Sequence, residues 1–398
     1  MRRNNFVKIK SSHHNNWVDS WHVNPSANKD YDLIDGLRGI AILLVLVGHQ
    51  FYLNPNAGPW KQFFMVLIDP GLGVTIFFAL SGFLISLPFW KIKNKAVKDA
   101  AVPAGYGWRR FWKIYPPLAL SIILLTPVYM LFPHEISFGS TAIKWLAGWP
   151  LILPVSGELN PVMWSLAVEV QFYLTLPLAF WCLKKVPASR CLWLLPALFL
   201  LLPNLSRWMF WHGVGFTIHP QVNVHYPACL DAFALGILVA GLESQRRLKK
   251  NWVWLGDLGF VLLALILILT AWVKLHPADL ITWEIIGYMR LGMAALLLLY
   301  IANPQAPRSR LLCHPLLRWF GLISYELYLF HQPFLVWYHN LVGFAHGSIL
   351  KFVTSAAIPS ALGLLIAVLV YRYFSLPILK SGRKRVAASL ATRKNLPA

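Results

Sequence analysis

The chain has 398 residues, 57% of them hydrophobic and only 13% charged, with a formal net charge of +21. That composition, with a mean hydropathy of +0.56, excludes an ordinary soluble domain and points to a polytopic membrane protein. A charge of this size would suit a nucleic-acid binder, but its placement along the chain assigns it to membrane topology instead.

The first thirty residues are polar and read as a cytoplasmic segment (1–33) with no cleavable signal, so residues 34–53 are expected to serve as the first anchor. This run, IDGLRGIAILLVLVGHQFYL, is long enough to span a bilayer, yet it carries Arg38 and His49. Eleven helical steps make three turns plus about 20°, with a rise of about 16.5 Å, so the two side chains share one face. Singly, Arg38 could be a snorkelling anchor and His49 a packed core histidine. Together on one stripe inside a membrane span they read as functional.

Further apolar runs follow at about 63–88, 111–132, 164–183, 191–210, 226–242, 252–274, 284–302, 320–341 and 351–376. The fold expected is therefore an all-α polytopic membrane protein of about ten transmembrane helices over 34–376, with a basic tail at 377–398. Residues 141–154 read as a re-entrant or interfacial piece. In this arrangement 29 of the 36 Lys and Arg residues fall on one side. Five (Lys61, Lys144, Arg207, Lys274, Lys351) fall on the other, and Arg38 and Arg290 lie inside spans. By the positive-inside rule both termini are cytoplasmic, and nucleic acid is not needed to explain the charge. The outer segments 133–163 and 204–225 are rich in aromatic and polar residues, among them Trp208, Trp211, His212, His219 and His225. They suit an interfacial aromatic belt or a carbohydrate face, and the histidine spacing assigns no metal. Cys182, Cys191, Cys229 and Cys313 lie in or beside apolar runs and imply neither disulfides nor zinc.

Polar groups recur within the spans. Ser81-Gly82 in the second permits close backbone approach, with helix packing the simplest reason. Arg109, Arg110 and Lys113 form a basic cluster entering the third, fit for lipid headgroups or for phosphates of a cytosolic cofactor. In the fourth, Ser165, Glu169, Phe172 and Tyr173 share a face, with Glu169 at a depth comparable to His49. Arg290 in the eighth span is a candidate structural partner for Glu169. In the ninth, Pro333 frees the carbonyl of Leu329, and satisfying that kink is the favoured role of His331.

These stretches resemble the membrane acyltransferase-3 family of bacterial O-acyltransferases. The resemblance rests on Arg38-x10-His49 with Asp35-Gly36-Leu37-Arg38-Gly39, on Phe77 to Leu84, and on an Arg-x-x-Arg-Ile-x-Pro-like block. It continues through Ser165 to Leu174, Asp231-Ala-Phe-Ala-Leu-Gly, and Ser324 to Pro333, with Tyr325 and His331. Lys113 stands where the family usually has an arginine, which keeps the charge but loses bidentate phosphate binding. Some relatives append an extracellular SGNH hydrolase-like domain, and none is expected here. The resemblance implies transfer of an acyl group, often acetyl, from a cytosolic acyl-CoA to a hydroxyl of an envelope or exported carbohydrate, at the bacterial cytoplasmic (inner) membrane, without a metal.

For the transfer that the resemblance implies, His49 is the natural general base for a sugar hydroxyl, an acyl-histidine intermediate being the alternative. Glu169 would orient His49 or bind the acceptor. Arg38, Arg109, Arg110 and Lys113 with Ser81 and Gly82 would hold the donor, and Ser165, Tyr173, Asp231, Arg290, Tyr325 and His331 form a supporting set. The competing class is a proton-coupled transporter or flippase, which buried Arg, His and Glu would also fit.

Overall fold

The described part of each of the ten apolar runs is mainly helical in the computed structural model, which describes residues 17–22, 32–52, 70–94, 102–130, 143, 146, 160–211, 229–275, 280–303, 310–342 and 349–394. The helices are α1 (Asp32–Tyr52), α2 (Pro70–Asn94), α3 (Tyr106–Met130), α4 (Trp164–Cys182), α5 (Ala188–Trp211) and α6 (Leu230–Ser244). They continue as α7 (Trp254–Leu275), α8 (Leu280–Ile301), α9 (Pro315–Leu322), α10 (Ser324–Val342), α11 (Ile349–Val370) and α12 (Leu376–Lys394). No strand occurs among the described residues. The region 141–154 lies outside them except for Ile143 and Leu146, as do His212, His219 and His225.

Five helical stretches are long and apolar enough to cross a membrane. They are α2, α4, Ala188–Ser206 of α5, Trp254–Val273 of α7, and Val353–Arg385, where α11 runs through a π-helical turn (Tyr371–Ser375) into α12. Their outward faces repeat at helical spacing. Leu174, Leu178 and Trp181 on α4, Val261, Leu265, Ile268 and Trp272 on α7, and Ile358, Leu362, Leu365 and Leu369 on α11 are all exposed. Large apolar side chains turned outward in continuous stripes are what a lipid solvent selects. The helices with the most polar interiors, α1 and α10, pack on each other and turn Gln50, Glu326, His331 and Gln332 inward, each 6% exposed or less.

Two expected spans differ from the observed helices. The run 320–341 is not one helix: it breaks at Ile323, where α9 ends and α10 begins. The cause is packing. A Cβ on Gly321 would fall 1.9 Å from the Asp35 carbonyl oxygen, and one on Gly36 2.0 Å from that of Leu312, so α9 lies backbone-to-backbone on α1. Arg318 and Asp32 pair across the same contact at 2.6 Å, both buried. The run 351–376 is longer than expected, because helix continues without a break into the basic tail.

α2 and α6 approach just as closely. Gly82 meets the Phe233 carbonyl and Gly236 that of Ala79, at hypothetical Cβ distances of 2.3 and 2.1 Å. These contacts fix the floor against which α4 lays its polar face. A second apolar cluster, including Leu118, Met163, Leu166, Leu329 and Val370, joins α3, α4, α10 and α11 on the other side. Between the two clusters a polar cleft remains.

Candidate active site

The cleft holds about 770 Å³ of empty space, its open mouth included, and it is walled by α1, α2, α3, α4 and α10. Arg38 enters from α1, Ser81 from α2, Arg110 and Lys113 from α3, Ser165, Glu169 and Tyr173 from α4, and Ser324, Tyr325 and Tyr328 from α10. Ser165, Glu169 and Tyr173 reach it together because they are four residues apart on one helical face.

Glu169 is held by hydroxyls. Its Oε1 accepts from Ser81 Oγ at 2.6 Å and from the Tyr173 hydroxyl at 2.5 Å. The Tyr173 ring lies 5.8 Å from the Arg110 guanidinium, and its carbonyl accepts from Tyr106 at 3.0 Å. Arg38 donates from Nη2 to Ser324 Oγ at 2.8 Å, while its Nε is buried without a partner among the described residues. Tyr325 donates to the Ile114 carbonyl at 2.8 Å, tying α10 to α3 beside Lys113. The cleft thus presents three cations, Arg38, Arg110 and Lys113, against one carboxylate. Asp35 and Glu326 are close enough to feel Arg38 but do not line it. A cleft with surplus positive charge attracts an anion.

His49 does not line the cleft. Its Nδ1 lies 2.9 Å from the Val45 carbonyl oxygen and 3.3 Å from Nε2 of His331, whose ring is fully buried. Between this histidine pair and the cleft stands Tyr328. Its hydroxyl bonds Ser165 Oγ at 2.7 Å and the Val162 carbonyl at 3.1 Å, and its ring centroid is 5.8 Å from that of His331. Phe77 meets the same ring edge-on at 6.5 Å.

Several sequence expectations change here. Glu169 does not reach His49, because its oxygen is committed to Ser81 and Tyr173 in the cleft. Gly82 faces α6 in the helix packing its mid-helix position suggests, and does not line the cleft with the donor-binding set. Arg109 lies outside the cleft and donates to the Ala104 carbonyl at 2.7 Å. Arg290 and Asp231 do not line it either, and Asp231 accepts from the Ala232 amide at 2.8 Å at the start of α6. The Leu329 carbonyl freed by Pro333 is taken by Asn160 Nδ2 at 2.9 Å, which leaves His331 to the carbonyls of its preceding turn and to His49. Tyr328 and Asn160 were not singled out from the sequence. For Tyr328 the signal was present, since it lies four residues from Ser324 and three from His331 on α10. Among the described residues no group of three or more His, Cys, Asp or Glu is placed to hold a metal ion.

Comparison with known proteins identifies the family. Residues 31–372 match the family model of the acyltransferase-3 type, described as an acyltransferase domain. The chain belongs to the acyltransferase-3 family. It is 28% identical over 377 residues to the peptidoglycan O-acetyltransferase OatA of Listeria monocytogenes, covering 88% of this chain and 56% of that one. It is 28% identical over 361 residues to the acyltransferase MdmB of Streptomyces mycarofaciens, covering 85% and 87%. A putative O-acetyltransferase of Staphylococcus aureus is 24% identical over 383 residues, covering 88% and 58%. The chain therefore spans little more than half the length of the Listeria and Staphylococcus relatives. No solved structure matches it. Membership places the chain in a family of acyl-transferring enzymes, and the motif residues that face the cleft belong to that shared domain.

Proposed function

We propose that this protein is a multi-pass membrane O-acyltransferase with both termini cytoplasmic, taking an acyl group, acetyl foremost, from acyl-CoA and placing it on a hydroxyl of an envelope or exported carbohydrate. The observation that carries the donor assignment is the trio Arg38, Arg110 and Lys113 in one cleft with a single carboxylate. Three cations match the phosphates of coenzyme A. The lysine-and-arginine asymmetry of the sequence puts the Arg38 end of α1 at the cytoplasm, the compartment that holds acyl-CoA. The two curated relatives named for O-acetylation support a hydroxyl acceptor.

From the Arg38 level, His49 lies about 16 Å further along α1, of the order of a pantetheine arm. The thioester passes Tyr328 and Phe77 to arrive beside His49. There Nε2 of His49 takes the proton of the acceptor hydroxyl as its oxygen attacks the thioester carbonyl. The C–S bond breaks, the ester forms, and the same proton returns to the departing thiolate to give the free thiol. Glu169 acts from the cleft by fixing Ser81 and Tyr173, not by touching the base.

Sidedness tests this reading. Sealed inside-out vesicles should consume added acetyl-CoA, whereas sealed right-side-out vesicles should not until permeabilised. Equal consumption by both sealed orientations, or donor use only from the outer face, would refute it.

A further inference from the structure

His331 is wholly buried on α10 and meets the proposed base directly. The proton positions of the two rings follow from their acceptors. Nδ1 of His331 lies 3.0 Å from both the Leu327 and the Tyr328 carbonyl oxygens. Carbonyls only accept, so this nitrogen carries the hydrogen. A neutral imidazole has one N–H, so Nε2 of His331 is a bare lone pair, and it faces Nδ1 of His49 at 3.3 Å. Nδ1 of His49 also faces the Val45 carbonyl at 2.9 Å, which requires a hydrogen there as well. The reversed assignment would set lone pairs against oxygen on both rings. Nε2 of His49 is then the basic atom, and among the described residues nothing bonds to it.

We propose that His331 is the positioning residue of His49, a neutral imidazole that shares the Nδ1–H of the base with the Val45 carbonyl, sets its ring angle and accepts more strongly from it as the ring becomes cationic. The inference rests on His49 acting as the base in the reading above. No proton crosses between the rings. The hydrogen gained at His49 Nε2 from the acceptor leaves from the same atom to the thiolate, while the Nδ1 hydrogen stays and its bond to His331 tightens. A carboxylate in this role would itself be a buried charge during the whole resting state, which is expensive in a membrane interior. A neutral ring orients without that penalty. The Tyr328 ring packs on it with centroids 5.8 Å apart, and α11 lies close against its backbone, where an added Cβ on Gly363 would fall 3.1 Å from His331 Cα.

The test uses the full-length protein in nanodiscs, with His331→Asn, His331→Gln and His49→Ala. Asparagine keeps an amide at the Nδ1 position but cannot reach His49, whereas glutamine carries an oxygen at the Nε2 position that can accept from it. His331→Asn should lower kcat by about tenfold or more, as loss of an orienting partner does, with both KM values unchanged. His331→Gln should retain activity close to wild type. In 15N-histidine spectra, assigned by difference against His49→Ala, His49 should be Nδ1-protonated in wild type and His331→Gln, and its Nδ1 signal should shift in His331→Asn, where only the Val45 carbonyl still accepts from it. Wild-type kcat with an unshifted His49 in His331→Asn, or equal losses in both variants, would overturn the proposal. So would Nε2-protonated His49 in the unmodified protein, a readout that needs no variant to fold. An active His49→Ala would instead overturn the base assignment, separately from the tautomer.

Discussion

The α7–α8 pair and the α1–α10 pair are both packed helices in the same chain, and they put their chemistry in opposite places. α7 turns Val261, Leu265, Ile268 and Trp272 outward and seats Gly256 and Gly259 against Tyr300 and Leu297 of α8, with no residue in the cleft. α1 and α10 turn Arg38, His49, Ser324, Tyr325, Tyr328 and His331 towards each other, the cleft, α3 or α4, and each of these side chains makes a named hydrogen bond there. A lipid-facing stripe asks only for apolar surface, so many residues serve. A buried polar layer asks for one donor or acceptor at one depth, so few do.

Substitution should expose that contrast. His49→Ala should have the largest effect, lowering transfer by about 10²–10⁴-fold, the range for loss of a general base, with abundance in the membrane nearly normal. Near-wild-type transfer by an inserted variant would break the assignment. Glu169→Gln keeps the shape but removes the charge that accepts from Ser81 and Tyr173. Charge-assisted bonds of this kind contribute about 1.5–3 kcal/mol, so kcat should fall by about tenfold or more. Donor KM should not rise, because the cleft becomes more positive; a raised donor KM at full kcat would instead place Glu169 on the donor. Lys113→Glu should raise donor KM several-fold while Lys113→Arg is tolerated, and steady-state kinetics with varied acetyl-CoA will separate them. The same KM in all three forms would remove Lys113 from donor binding. At the small end, Val261→Ala on the outward face of α7 should leave kcat, KM and melting temperature unchanged within error, since it removes no partner.

How much of this was legible in the sequence depends on whether the feature is local to one helix. That Arg38 and His49 share a face of α1 follows from helical period alone, and so does the Ser165, Glu169, Tyr173 face of α4. Which helix stands opposite at each level does not follow. Depth counted from the ends of apolar runs matched His49 with Glu169. In the fold that face passes the cleft at Arg38 and meets α10 at His49, so the partner is His331. The break at Ile323 was hidden because the apolar run continues through it without proline, and it is set by the contact of Gly321 with α1. Pro333 correctly marked a freed carbonyl, but the group that satisfies it, Asn160, comes from the turn before α4 and carries no local signal.

The place of Tyr328 between the cleft and the histidine pair has a bioenergetic consequence. An energised membrane drives each unit charge with about 2.3 kcal/mol per 100 mV, so any continuous wet path from a cytosolic mouth to the outer leaflet would short-circuit the cell. The rings of Tyr328 and Phe77, with the Tyr328 hydroxyl already committed to Ser165 and Val162, interrupt such a path between the cationic cleft and the histidine pair. On the proposed reading, that interruption would let acyl transfer proceed without opening a wet path across a charged bilayer.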